Sequence, residues 1–292
     1  MVFDECHHIL QSRGFRLHFC AANKFAKYTF KKIYLTATLS PAHQDAFYNF
    51  TELVPALTRV IRTDTVNLLI QYNVHYVKTQ FLKSATLHMA RRLQTSFKPD
   101  SRGIIFCQTK TDAAGLAKQI GCGTAFDSTL KEGTKKQLFN DWTKGQSIWI
   151  VATSSFLQGI DYPYVDAVIF YKTPHGLVDF VQGSGRGARA GRQSTTVIVT
   201  DKTPPNVKHD EYALKYGMQS EMLDMVKSTI CYRKLISQNM DIIPVTCHDI
   251  PEAVACGHCS PNSVMSQLVR GLIQEHPDAQ HSSISSEPPG VF

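Results

Sequence analysis

The sequence predicts an α/β protein built on parallel sheets, followed by a small helical segment that binds a metal ion through cysteines. Two observations carry this prediction. Short runs of β-branched residues alternate with helical stretches up to about residue 203, which is the pattern of α/β units around a parallel sheet. Four of the eight cysteines then crowd between Cys231 and Cys259. A chain of 292 residues has room for about two domains.

The predicted elements follow one another at short intervals. The predicted strands are 2–3, 32–35, 102–107, 147–152, 167–171 and 195–200, and the predicted helices between them include 111–120 and 134–142. Polar or glycine-containing turns follow the strands, where ligands of open α/β sheets bind. The predicted units are a first segment over 1–62, a linker over 63–80, a second α/β unit over 81–203, a helical cysteine-bearing segment over 204–262, and a short helix with a disordered tail over 263–292.

The composition indicates which kinds of partner and which cellular compartment to expect. Hydrophobic residues make up 43% of the chain and charged residues 19%, as in a globular protein. The net charge of +7 favours a polyanionic partner without establishing one. There is no signal-peptide pattern and no apolar run long enough to cross a bilayer, so we expect an intracellular protein with no membrane partner. The clustered cysteines favour metal ligation in a reducing compartment over disulfides.

The first motif is the acidic pair in "VFDECH". Asp4 and Glu5 follow a short apolar strand, where one carboxylate can hold Mg²⁺ beside bound phosphates and the other can orient and deprotonate a water. The alternative is a solvated acidic turn. In "YLTATLSP", Thr36 and Thr38 can hydrogen-bond towards the acidic pair, although the same stretch also predicts a helix start with Ser40 as the N-cap.

The third motif, "QGSGRGARAGR", places Gln182, Arg186, Arg189 and Arg192 on or next to one helical face among small residues. Guanidinium groups in this setting can stabilise the charge on a transferring phosphoryl group. The alternative is a Gly/Arg-rich loop that follows nucleic-acid phosphates.

The cysteine cluster predicts a zinc site. Cys256 and Cys259 form a C-x-x-C pair, and Cys231 and Cys247 complete four thiolates, which is the ligand set of a structural Zn²⁺ site. His248 or His258 could replace one cysteine as ligand. The other alternative is a group of buried cysteines without a metal.

Taken in order, "FDECH", "LTATL", "GIIFCQT", "IVATSSFLQGID" and "QGSGRGARAGR" resemble the motifs of a superfamily 2 helicase. The chain resembles RecQ-like DNA helicases in particular, closest to the DECH-bearing forms of fungi. Two features favour that subfamily, namely Gln182, where DEAD-box RNA helicases have His, and the downstream cysteines. The resemblance implies RecA-like lobes, the first one incomplete, followed by a helical zinc-binding subdomain.

The resemblance also implies roles for individual residues. It implies that Asp4 binds the magnesium ion, that Glu5 activates the water, and that His7 links the nucleotide and DNA sites. It also implies that the phosphates of ATP are contacted by Gln182, Arg186 and Arg189. The further carried-over residues are Phe15 and Arg16 in a DNA-sensing loop, Thr153 at the DNA backbone, Gly159 at the lobe interface and Asp161 at the ribose. The stretch "GRGARAG" departs from the family because Ala188 stands where glycine is usual.

These features predict an ATP-dependent 3′-to-5′ DNA helicase of recombination and repair. Its partner would be single-stranded or partly duplex DNA, its cofactors ATP, Mg²⁺ and Zn²⁺, and its location the nucleus. The sequence has no G-x-x-x-x-G-K-[ST] phosphate loop, which we expect to lie before Met1 in a chain truncated at its N-terminus. We therefore expect the chain alone to bind ATP weakly and to hydrolyse none, and its half lobe to be covered by the missing segment or by a partner chain. The alternatives are a non-catalytic nucleic-acid-binding or regulatory remnant and a superfamily 2 RNA helicase.

Overall fold

The computed structural model describes residues 1–11, 24–157, 161–205 and 211–260. It contains two parallel sheets. The strands are β1 (Val2–Phe3), β2 (Ile33–Tyr34), β3 (Ile70–Tyr76), β4 (Arg102–Cys107), β5 (Trp149–Ala152), β6 (Val165–Tyr171) and β7 (Ser194–Thr200). β1 and β2 pair with each other, and the remaining strands form one sheet in the order β3-β7-β6-β4-β5. The predicted parallel α/β architecture is therefore confirmed.

The helices cover both faces of the larger sheet and continue beyond it. They are α1 (His8–Gln11), α2 (Gln44–Thr51), α3 (Leu82–Gln94), α4 (Lys110–Ile120), α5 (Glu132–Thr143), α6 (Leu177–Ser184), α7 (Glu211–Gly217), α8 (Gln219–Lys227) and α9 (Tyr232–Met240). Every residue of β4 is buried because two separate apolar clusters pack on its two faces. Within the described ranges, no helix is both long enough and apolar enough to span a membrane.

Local sequence signals account for several element boundaries. The Thr109 hydroxyl accepts a hydrogen bond from the Asp112 amide and so caps the start of α4, and Gly121 ends this helix at φ +88°. The predicted N-cap at Ser40 is also present, since its hydroxyl accepts from the Ala42 amide, at the start of a 3₁₀ turn that begins with Pro41. Predicted strands and helices thus lie within a few residues of the observed ones.

The main difference lies in the segment that the sequence predicts as a linker over 63–80. It contains β3, which pairs in parallel with β7 from Ile70 opposite Ser194 to Tyr76 opposite Thr200. Ile70 and Tyr72 are buried in the core on one face of the sheet. Part of the predicted linker therefore belongs to the second sheet and forms its edge.

The first segment has a small core of its own. Residues from α1 and α2 pack together with Cys6 and with Tyr216 of α7, so α7 joins the first segment to the rest of the chain. Several apolar side chains of this segment remain exposed, including Ile33 at 52%, Leu57 at 86% and Ile61 at 78%.

Candidate functional site

An open cleft of about 1040 Å³ separates the first segment from the larger sheet. Its lining includes residues from three of the predicted motifs: Glu5, Thr36, Thr38, Gln182, Arg186 and Arg189. The motifs meet in this cleft because each lies at or just after the C-terminal end of a strand or helix. Glu5 comes after β1, the two threonines come after β2, and Gln182 lies in the last turn of α6.

The acidic pair adopts an unusual backbone conformation at the mouth of the cleft. Glu5 has φ +49°, in the left-handed region that few residues other than glycine adopt, and its amide donates to the Asp4 carboxylate over 3.0 Å. Asp4 is exposed and Glu5 is half-buried. Burial raises the pKa of Glu5, the negative charge of Asp4 raises it further, and the guanidinium of Arg186 acts against both.

His7 lies at the centre of a hydrogen-bond network that crosses the cleft. Its Nδ1 lies 2.9 Å from the Thr36 hydroxyl and 3.3 Å from the Glu5 carboxylate. Its Nε2 lies 3.1 Å from the Gln182 side-chain nitrogen, which also donates to the Thr38 hydroxyl over 3.2 Å. Since an amide nitrogen can only donate, His7 Nε2 accepts here and the ring proton belongs on Nδ1.

His7 is held in its neutral form. It is 2% exposed, and burial followed by the neighbouring His8 lowers its pKa to about 3. The Glu5 carboxylate, although 3.3 Å away, does not outweigh this desolvation. His7 therefore connects Glu5 to Gln182 as a neutral hydrogen-bonding group, without forming an ion pair.

The arginines that follow α6 differ in their contacts. Arg186 donates to the Leu157 carbonyl, and burial lowers its pKa. Arg189 forms an ion pair with Asp161. Arg192 turns away to Asp100 and Asp166, at 2.9 and 2.7 Å. The prediction that these arginines share a helical face with Gln182 is wrong, because α6 ends at Ser184 and the arginines lie in the turns beyond it.

The turn that carries Arg189 is built from left-handed alanines. Ala188 and Ala190 have φ +55° and +53°, where a Cβ atom is costly and glycine is favoured. The departure from the family at Ala188 thus falls at a position whose backbone conformation suits glycine.

The second cluster is formed by the sulfur atoms of Cys231, Cys247, Cys256 and Cys259, which all lie within 4.8 Å of one another. The Sγ atom of Cys231 is 3.6 Å from that of Cys247 and 3.9 Å from that of Cys256. A tetrahedral Zn²⁺ site with Zn–S bonds of about 2.3 Å spaces its sulfurs about 3.8 Å apart. The donor set and its spacing therefore fit a zinc ion. His258 instead lies with its Nε2 3.2 Å from the Ser228 carbonyl, and His248 is exposed.

Comparison with known proteins finds a family match over one part of the chain. Residues 78–191 match the model of the helicase conserved C-terminal domain. Among its relatives, DEAD-box ATP-dependent RNA helicase 40 of Arabidopsis thaliana is 30% identical over 188 residues, which are 59% of this chain and 17% of that protein. A DNA helicase Q1 of Caenorhabditis briggsae is 30% identical over 100 residues, 33% of this chain and 16% of that protein.

Solved helicase structures agree in fold. Saccharomyces cerevisiae Dbp5 bound to RNA and ADP BeF3 superposes with a TM-score of 0.58 at 18% identity, covering 77% of this chain and 56% of Dbp5. Mycobacterium smegmatis Lhr bound to single-stranded DNA and AMP-PNP gives a TM-score of 0.51 at 18% identity, covering 68% of this chain and 28% of Lhr. This chain thus spans only part of each of these helicases.

The other predicted site residues lie apart from the His7 network or outside the described residues. Thr153, after β5, is buried, and its hydroxyl lies 3.1 Å from that of Ser155. Asp161, predicted at the ribose, is the ion-pair partner of Arg189. Phe15, Arg16 and Gly159 lie outside the described residues.

Sequence reasoning missed one residue beside the cysteines. Arg233 is fully buried, and its Nη1 donates to the Asn67 carbonyl while its Nη2 donates to those of Ile70 and Val254. Its Nε donates to the Cys247 sulfur over 3.4 Å. The only signal was its position two residues after Cys231. An arginine so placed supplies positive charge next to a cluster of cysteine sulfurs.

Proposed function

We propose that this chain forms the nucleotide-coupling half of an ATP-driven helicase, in which closure of the cleft is transmitted through Gln182. One observation carries the proposal. The Gln182 amide reaches both His7 and Thr38, so one side chain of the second lobe contacts the acidic motif and the threonine motif of the first segment together. A side chain that bonds across a cleft loses these bonds when the cleft opens, and can therefore couple lobe movement to the state of the site.

The cleft residues would divide the chemistry of phosphoryl transfer among them. Mg²⁺-bound ATP supplies the transferable phosphoryl group. Asp4 would hold the magnesium ion, and Glu5, whose pKa is raised by burial, would take the proton of a water. Arg186 and Arg189 would face the phosphates, after exchanging the Leu157 carbonyl and the Asp161 carboxylate for phosphate oxygens.

The four cysteines would bind a structural zinc ion. Two sulfur separations close to 3.8 Å support this proposal, as does Arg233, a buried cation that donates to carbonyl oxygens and to one cysteine sulfur. Thiolates on zinc would supply the negative charge that such a cation needs in a buried setting.

We further propose that the nucleic acid is DNA, as in RecQ-type enzymes, with 3′-to-5′ unwinding and a nuclear location. Gln182 and the cysteine cluster support this choice. The second candidate is an RNA helicase. It is supported by the DEAD-box RNA helicases among the relatives and by the RNA named for Dbp5.

The test measures metal and strand preference in the purified full chain. We expect about one zinc per chain, lost in Cys256→Ser, which leaves the metal only three thiolates. Fluorescence anisotropy with labelled dT15 and rU15 should show tighter binding to DNA, and weaker binding as salt rises. Tighter binding of rU15 together with an absence of zinc would favour the RNA helicase, and binding to neither strand would overturn both candidates.

A hydrolysis assay on the same protein tests the predicted dependence on a phosphate loop. We expect no phosphate release from ATP, with or without DNA, because this sequence contains no G-x-x-x-x-G-K-[ST] string. DNA-stimulated release that disappears in Glu5→Gln would contradict this expectation, and would place a working ATPase site within these 292 residues.

A further inference from the structure

One segment of the chain is basic without any acidic residue. Residues 6–44 contain six Lys and Arg and no Asp or Glu, and residues 65–99 are a second such segment with five Lys and Arg. A positive field of this kind attracts polyanions.

Within the segment 6–44, residues 24–34 carry a continuous series of aromatic rings. Tyr34 stacks on Phe3 with ring centroids 4.7 Å apart, and Phe25 meets Phe3 edge-on at 5.4 Å. Phe25 is next to Tyr28, which stacks on Phe30 at 5.5 Å with an interplanar angle of 18°. The series begins at the β1–β2 sheet and ends in two rings at the surface, since Tyr28 is 48% exposed and Phe30 41%.

Lysines surround these two exposed rings. The Lys27 ammonium lies 5.5 Å from the Tyr28 ring centroid, and that of Lys32 lies 5.3 Å from the Phe30 ring centroid. Lys32 also donates to the Tyr28 carbonyl over 2.6 Å, which holds the backbone in place. Lys24 and Lys31 are exposed, and within the described ranges neither has a carboxylate at ion-pair distance.

We propose that this surface is a stacking platform for single-stranded nucleic acid. The platform consists of Tyr28 and Phe30 with Lys27 and Lys32 beside their rings, together with the exposed chain neighbours Lys24 and Lys31. Exposed aromatic faces accept unpaired bases of any sequence, and surrounding lysines bind the phosphates of the same strand. The apolar rings alone would be enough to bind a protein partner. The four lysines are complementary to the phosphate backbone of a nucleic acid.

The platform goes beyond the proposed coupling role because it lies at the other end of β2. The strand and its flanks run from Lys32 to Thr36, which spans about 13 Å in an extended chain. Phe30 and Lys32 also belong to the lining of the cleft that Gln182 and Arg186 line.

The test compares oligonucleotide binding by variants of the full chain. Because both rings are exposed, Tyr28→Leu/Phe30→Leu keeps apolar side chains and removes only the aromatic faces. We expect it to bind dT15 and rU15 about 10-fold more weakly than wild type or more. Tyr28→Phe retains the ring and should bind as wild type does. Lys27→Ala/Lys31→Ala should reduce the slope of log affinity against log salt by about two.

Photo-crosslinking with 5-iodouracil oligonucleotides separates this proposal from the preceding one. The platform predicts crosslinks to the peptide that contains Tyr28 and Phe30, and the helicase proposal predicts crosslinks near Thr153. Crosslinks near Thr153 alone, with unchanged affinity in the double-leucine variant, would overturn the platform and leave the helicase proposal intact. Self-association that is lost in the double-leucine variant, without any change in oligonucleotide affinity, would identify a protein-docking face and would also overturn it.

Discussion

The cleft network depends on the protonation state of one buried side chain. His7 must accept a hydrogen bond at Nε2 from Gln182 while its Nδ1 donates towards Thr36 or Glu5. Protonation would turn Nε2 into a donor, and two donors would then face each other across the cleft. The burial that lowers the pKa of His7 to about 3 thus preserves the bond between the two lobes.

This arrangement predicts an acid-dependent loss of stability. In the unfolded chain the pKa of His7 returns to about 6.5, so below that pH the unfolded state binds a proton that the folded state does not. Stability attributable to His7 is complete above pH 6.5 and falls as the pH drops towards 3. Between pH 7.5 and 5.0 the loss should amount to about 2 kcal/mol, because the slope approaches about 1.4 kcal/mol per pH unit only below the pKa of the unfolded state.

The measurement is urea unfolding at pH 7.5 and 5.0 for wild type and His7→Asn. The variant should be less stable at pH 7.5, because it loses the bond to Gln182, but should lose about 2 kcal/mol less than wild type on acidification. The same pair is compared in a Glu5→Gln background, because the raised pKa of Glu5 acts in the opposite sense. Equal losses in wild type and His7→Asn would show that His7 is protonated in the folded state.

Sequence reasoning identifies the residues of this network but not all of their partners. The motifs indicate Glu5, His7 and Gln182, since each stands at a fixed place in a recognisable string. The sequence predicts that Thr36 and Thr38 bond towards the acidic pair, whereas they bond to His7 and Gln182. The sequence places a hydroxyl at a strand end, but its bond depends on side-chain rotamers and on how two distant segments pack.

At the scale of elements, the cysteine segment completes the edge of the larger sheet. The Val254 amide donates to the Leu68 carbonyl over 2.8 Å, and the Gly257 amide donates to the Tyr72 carbonyl over 2.9 Å. Arg233 adds bonds to the carbonyls of Asn67 and Ile70. The cysteine segment thus satisfies backbone groups that an uncovered edge strand would expose.

A single methyl group should disturb this junction. A Cβ atom at Gly257 would lie 2.7 Å from the Asn73 side-chain oxygen, and Asn73 is 5% exposed, so it has little room to move. We expect Gly257→Ala to lower the free energy of unfolding by about 1–3 kcal/mol. Asn73→Ala removes the obstructing oxygen, so the double variant should lose less stability than the sum of the two single variants.

Gly133→Ala is the matched control for this experiment. Gly133 lies in α5, and a Cβ atom added there would have no other atom within 4 Å. Alanine at this position should therefore be neutral or stabilising by up to about 1 kcal/mol. Urea unfolding of wild type, the two single variants and the double variant gives the coupling energy. A Gly257→Ala protein as stable as wild type would show that the cysteine segment does not pack closely on β3.

The sequence predicts the central strands of the larger sheet but not its edge strand β3. β4 and β6 are buried along nearly their whole length, and their continuous apolar runs are typical of strands. The sequence predicts a linker in place of β3 because Asn73 and His75 interrupt its apolar residues, although Ile70, Tyr72 and Val74 alternate as in a strand. Asn73 is buried beside Gly257 of the cysteine segment, a contact that the local sequence does not reveal.

At the scale of the whole molecule, stability is unevenly distributed. The larger sheet has an extensive apolar cluster on each face, whereas the first segment has a small core that reaches the rest of the chain through Tyr216. Polar contacts also join the first segment to the rest of the chain. One is the hydrogen bond from the Gln11 side chain to the Tyr216 carbonyl, at 3.1 Å, and another is the contact of Gln182 with His7. A segment with few buried contacts opens at a lower free-energy cost than the sheet.

Amide hydrogen exchange should therefore proceed in two stages. Amides of β4, β6 and β7 should exchange slowest, and those of β1, β2 and α1 should exchange much sooner, through local opening of the first segment. Gln182→Leu removes the bonds to His7 and Thr38, so exchange should accelerate at 7–11 and 36–38 and stay unchanged in β6. Gln119→Leu, on the exposed side of α4, should leave both regions as in wild type. If Gln182→Leu left exchange at 7–11 unchanged, the other contacts of the first segment, among them the Tyr216 core and the bond from the Ser40 hydroxyl to the Asn239 carbonyl, would suffice to hold it in place. The Gln182 side chain would then have no coupling role.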